Sequence, residues 1–118
     1  TYMLIPDFYP ERETRKEINL ADNSTGATII GNTTQNRRIK IDYDVNRNSV
    51  SGYLYEEGEL RIIHDSTNAY MTQTSQKIGE VGMDFDVSLS GTNILLSYTA
   101  SSTGYSALTT YDIYRTLI

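Results

Sequence analysis

The stretch Arg38-Ile-Lys-Ile-Asp-Tyr-Asp-Val45 decides how the chain is read. Ile39, Ile41, Tyr43 and Val45 fall on one side of an extended segment, and Arg38, Lys40, Asp42 and Asp44 fall on the other. This period of two belongs to an antiparallel strand with one face on a core and one in water. Met83, Phe85, Val87 and Leu89 alternate in the same way with Asp84, Asp86, Ser88 and Ser90. There the polar tip Ser90-Gly-Thr-Asn93 leads into Ile94-Leu-Leu-Ser-Tyr98, the signature of a hairpin. A second hairpin is expected from Tyr53-Leu-Tyr55 and Leu60-Arg-Ile-Ile63, with Glu56-Glu-Gly-Glu59 as its turn and Gly58 supplying a positive φ.

Working outward, further strands are expected over 16–20, 27–30, 69–74 and 107–117. Turn-forming residues separate them at 22–26, 31–32, 46–48, 64–68 and 100–104. The pattern predicts an all-β chain, an antiparallel β-sandwich of jelly-roll-like form with eight or nine short strands. Pro6 and Pro10 both lie near the start, so residues 1–14 read as an extended N-terminal arm and residues 15–118 as a single sandwich domain. A length of 118 residues fits one core of ordinary size. Beginning at Thr1 rather than Met, the chain reads as a processed fragment.

Composition narrows the function classes. The 15 acidic and 10 basic residues give a net charge of -5, which argues against a general nucleic-acid surface, since phosphate neutralisation needs clustered Lys and Arg. Zero cysteines remove disulfide scaffolds, thiolate metal sites and Cys nucleophiles together. No apolar run approaches the roughly 18 residues of a membrane helix, so no membrane insertion is expected. With hydrophobic residues at 38%, the core is lean.

No stretch supplies a catalytic, cofactor or metal constellation. His64 is the only histidine, in an expected turn with Asp65, and no nucleophile-elbow pattern accompanies it. Asp42-x-Asp44-x-Asn46-x-Asn48 resembles the beginning of a calcium loop, but Arg47 stands where that loop needs Gly and Tyr53 where it needs Glu. Alternate outward positions on a one-sided strand account for the same spacing. Glu56, Glu57 and Glu59 read as a solvated turn. The ten tyrosines are read chiefly as strand packing and subunit contact, and Tyr105 and Tyr70 are the candidate binding-surface residues. Tyr105 sits beside Ser101, Ser102, Thr103 and Gly104, an aromatic among small hydroxyl residues of the kind recognition surfaces use.

Several phrases, in order, resemble a domain of tailed-bacteriophage virion proteins of the tail-fibre and appendage type. They are Ile18-Asn-Leu-Ala-Asp-Asn-Ser-Thr25, Ile39-Lys-Ile-Asp-Tyr43, Gly58-Glu-Leu-Arg-Ile-Ile-His-Asp65, Gly82-Met-Asp-Phe85, Leu96-Ser-Tyr-Thr99 and the closing Tyr111-x-x-x-Arg115. The resemblance implies a non-enzymatic β-sandwich located in the virion, as part of a tail fibre, appendage or outer capsid component. It further implies assembly with other virion proteins and self-association, with a homotrimer the preferred form. Two other readings stay open: a carbohydrate-binding module that meets a host-surface glycan through Tyr105 and its neighbours, and a hydrolase built on His64 or the acidic residues.

Overall fold

The computed structural model describes residues 11–49 and 52–117. Eight strands follow in order: β1 (Glu11–Leu20), β2 (Ser24–Asn32), β3 (Asn36–Ser49), β4 (Gly52–His64), β5 (Ala69–Ile78), β6 (Met83–Ser90), β7 (Asn93–Ala100) and β8 (Ala107–Leu117). They make two antiparallel sheets, ordered β1-β8-β3-β4-β5 and β2-β7-β6. The inner faces close on one core, so the chain is a β-sandwich. The pairings β1 with β8 and β2 with β7 are nested as in a jelly roll, whereas β3, β4 and β5 run on as a meander within the first sheet.

Alternation places the core as expected. Ile39, Ile41, Tyr43 and Val45 of β3 are buried, as are Leu60 and Ile62 of β4 and Tyr111 and Ile113 of β8. Ile30, Met83, Ile94, Leu96 and Tyr98 meet them from the second sheet. Tyr43 packs on Phe85 with ring centroids 4.7 Å apart, joining the two sheets at mid-core. Each such side chain contributes about 1.5–3 kcal/mol on leaving water.

Three sequence expectations are corrected. Residues 11–13, expected in the arm, pair with β8 as the start of β1, and Thr14 lies in the bulge that follows; residues 1–10 of that arm lie outside the described residues. Asn46-Arg-Asn48 is no turn, because β3 runs on to Ser49, which pairs with Gly52. Glu56-Glu-Gly-Glu59 is no turn either, because β4 continues through it in unbroken register with β3 and β5.

The reason for the last correction is inside the sandwich. Glu56 is buried, opposite Val45, and its carboxylate accepts from the Tyr43 hydroxyl and from Gln73 Nε2 at 3.2 Å. Burial, and then that carboxylate, hold the Tyr43 hydroxyl well above the usual tyrosine range. Gly58 has no positive φ. It is needed for space: a Cβ there would press on the Thr74 carbonyl and stand 2.9 Å from both the Tyr43 hydroxyl and Ser75 Cβ.

Candidate interaction surfaces

Arg47 organises one end of the sandwich. It continues the inward row of β3 beyond Val45, and its side chain is 0% exposed. Nη1 donates to the Val81 carbonyl at 2.8 Å, and Nε to the Tyr105 carbonyl at 3.0 Å. Nη2 donates to the carbonyls of Ser101 at 2.8 Å and Tyr105 at 2.7 Å, and pairs with Asp22 Oδ1 at 2.7 Å. One guanidinium thus fastens the β1–β2 turn, the β5–β6 connection and the β7–β8 loop to the β3–β4 hairpin. Its planar fork of donors suits several fixed acceptors at once. Asp22 also accepts from the Thr103 amide at 2.8 Å. That bond first, with Arg47 contributing, holds the Asp22 carboxyl below its ordinary range.

Tyr105 rides on this anchored loop. Its backbone carbonyl is held by Arg47, while the residue is 39% exposed. Tyr70 lies elsewhere, on the outward side of β5, and is 51% exposed, with its hydroxyl donating to Asp65 Oδ2 at 3.2 Å. Because β4 and β5 run the length of the first sheet, Tyr70 beside His64 and Tyr105 beside Arg47 are at opposite ends of the sandwich. The two candidate residues are not brought together.

The end that carries Tyr70 is built by turn chemistry. Asp65 Oδ1 accepts from the amides of Thr67 at 2.9 Å and Asn68 at 2.6 Å, which holds its carboxyl below the usual range. His64 Nδ1 accepts from the Ser66 amide at 3.1 Å, so the ring proton is on Nε2, which donates to the Asn36 carbonyl at 2.6 Å. Both ring nitrogens are thereby occupied by backbone groups.

The outward face of the first sheet is sorted along its strands. Arg38, Ile63 and Tyr70 share one level across β3, β4 and β5; Tyr114, Lys40, Arg61 and Thr72 share the next. A carboxylate band follows, with Asp42 opposite both Asp112 and Glu59, and Asp44 opposite Glu57. Tyr55 and Ile78 then lie side by side. Lys40 reaches Asp42 at 3.8 Å and Glu59 at 3.4 Å, and Arg12 reaches Asp112 at 3.6 Å, so the band is partly neutralised at its basic border. Asp42, Asp44, Asn46 and Asn48 lie on this outward face, and among the described residues no group of His, Asp and Glu is placed to hold a metal ion. Ile63, at 55% exposed, and Ile78, at 53%, join Tyr70 and Tyr53 as large apolar residues left in solvent on β4 and β5.

Sequence reading missed Arg47, Glu56 and Arg115 as buried polar residues. Parity was the available signal, since each continues an inward row: Val45 to Arg47, Leu60 back to Glu56, and Ile113 to Arg115. Arg115 donates from Nε to the Ile30 carbonyl at 2.6 Å and pairs with Glu13, tying the second sheet to the first.

No protein-family model matches the chain, and no curated protein matches it. Among solved structures, the chain is similar to the crystal structure of the Acinetobacter phage vB_ApiP_P1 tailspike protein, with a TM-score of 0.46 and 12% sequence identity. The match covers 99% of this chain and 23% of that one, so the chain spans less than a quarter of the tailspike's length.

Proposed function

We propose that this chain is a structural module of a phage virion appendage and acts by assembly rather than by catalysis. The observation that carries the reading is the outward side of β4 and β5. It leaves Tyr53, Ile63, Tyr70 and Ile78 in solvent on the half of the first sheet that ends in a strand edge unpaired among the described residues. Apolar residues grouped around a free edge are the surface an assembling chain offers to a neighbour. The phrases from Ile18 to Arg115 that resemble phage appendage domains supply the virion context. The engagement of both His64 nitrogens by backbone favours a non-enzymatic role. Quantitative mass spectrometry of purified particles tests the location: the chain is expected at a stoichiometric copy number. Its absence from washed particles would refute the reading.

A glycan-binding role is favoured by one observation, the exposed Tyr105 ring on a loop that Arg47 holds still. Rigid presentation of an aromatic lowers the entropy lost on binding. A glycan array probed with the chain and with Tyr105→Ala tests it, and equal signals from both would exclude Tyr105.

A further inference from the structure

Among the described residues the sandwich has four strand edges, and they are not alike. β1 carries a bulge between Glu13 and Lys16 and is charged along most of its length, with Arg15 at φ 52°. β2 carries a bulge between Ile29 and Gly31. β6 is short and bears Asp84 and Asp86. These are the devices by which sheet proteins keep edges from pairing with other chains. β5 has the fewest of them, a single lysine. All of Ala69–Ile78 stays in register with β4, proline is absent, and Lys77 is the only charged residue.

We infer that the free edge of β5 pairs antiparallel with β5 of a second copy of this chain about a two-fold axis at Thr74. The inference rests on the assembly reading above and names its surface. Opposed residues in an antiparallel pair share a face, so only registers that keep Tyr70, Thr72, Thr74, Gln76 and Ile78 on one side are allowed. Centred on Thr74, the register sets Tyr70 against the partner's Ile78, Thr72 against the partner's Gln76, and Thr74 against its own copy. Tyr70 and Ile78 already have Ile63 and Tyr55 beside them on β4. Each end of the joint therefore gathers Ile63, Tyr70, the partner's Ile78 and the partner's Tyr55 into one apolar cluster. Aromatic and branched side chains opposed in this way stabilise a sheet. β5 has no acidic residue, so two chains of net charge -5 meet where their charge is least opposed. A two-fold joint is isologous and closes on itself, and the product is one continuous sheet through both sandwiches. This differs from the homotrimer expected from the sequence resemblance.

The full chain has no cysteine, which makes the register directly readable. Cα atoms opposed across an antiparallel pair are about 4.5–5.5 Å apart, within disulfide reach. Thr74→Cys should oxidise to a covalent dimer at least about tenfold faster than Thr99→Cys, an exposed position on the outer side of β7. Thr72→Cys should cross-link when mixed with Gln76→Cys and not alone. Equal rates for Thr74→Cys and Thr99→Cys would overturn the joint. So would Thr74→Cys cross-linking that appears only once residues 1–10 are deleted, which would make that segment the occupant of the edge. An assembly that persists while Thr74→Cys stays inert refutes the β5 joint alone. A wild-type chain that is a 13.3 kDa monomer at every concentration refutes the assembly reading as well.

Discussion

Replacing Arg47 by Met keeps an unbranched side chain of similar reach and removes the donors on which three segments converge. The carbonyls of Val81, Ser101 and Tyr105 and the Asp22 carboxylate all lose a partner. A hydrogen bond to a charged group is worth about 1.5–3 kcal/mol, but these bonds share one guanidinium and do not add. Leaving a buried acceptor without its donor costs about 1–3 kcal/mol, and the thioether recovers part of the total by not burying a charge. Asp22 keeps the Thr103 amide and access to water and adds nothing to the figure, so the three carbonyls place the variant at about 3 kcal/mol. With a urea slope of about 2 kcal/mol/M, the midpoint should fall by roughly 1.5 M in equilibrium unfolding followed by far-UV circular dichroism. Arg47→Lys should restore less than half of the loss, since an ammonium cannot serve acceptors spread around a planar fork. An Arg47→Met chain within about 1 kcal/mol of wild type would refute the idea that this residue holds the end together.

Three further outcomes follow from the same geometry. Gly58→Ala should destabilise by about 1–3 kcal/mol, because the new methyl presses on the Thr74 carbonyl and the Tyr43 hydroxyl; an unchanged urea midpoint would contradict the close approach. Tyr43→Phe should lower stability by about 1–3 kcal/mol by withdrawing the hydroxyl from the buried Glu56 carboxylate, and a neutral result would show that Gln73 satisfies it alone. Stability should decline as pH falls below about 4, since Glu13, Asp22, Glu59 and Asp65 all have lowered carboxyl pKa values when folded. A depressed carboxyl binds its proton more readily in the unfolded chain, so its contribution is present above the unfolded pKa and is lost as pH drops through the folded one. Asp65→Asn should flatten that decline; an identical pH profile would remove Asp65 from the account.

The alternation at Arg38 to Val45 was enough to read the inward face of β3, and that at Met83 to Leu89 with the tip after it the β6–β7 hairpin, because one-sided burial writes its period into the chain. The failures fell where polar residues face inward. Glu56 and Gly58 have the composition of a turn, and they occupy a strand because Tyr43 needs an acceptor across from it and room beneath it. Asn46 and Asn48 made Arg47 look like loop, although its parity already placed it inside. Its partners at Asp22, Val81, Ser101 and Tyr105 are set by long-range closure, which local pattern does not carry. For the candidate surfaces, exposure of Tyr70 and Tyr105 was legible. Their separation to opposite ends required the strand order.

Self-association through the least protected edge is the central claim, and the solution mass is its most direct measure. Light scattering of the full chain coupled to size-exclusion chromatography, run over a rising concentration series, should approach twice 13.3 kDa, and Thr74→Lys, which sets two lysines face to face at the two-fold axis, should return it to the single-chain value. A wild-type mass that stays at 13.3 kDa throughout, or one that is raised but unmoved by Thr74→Lys, would contradict it.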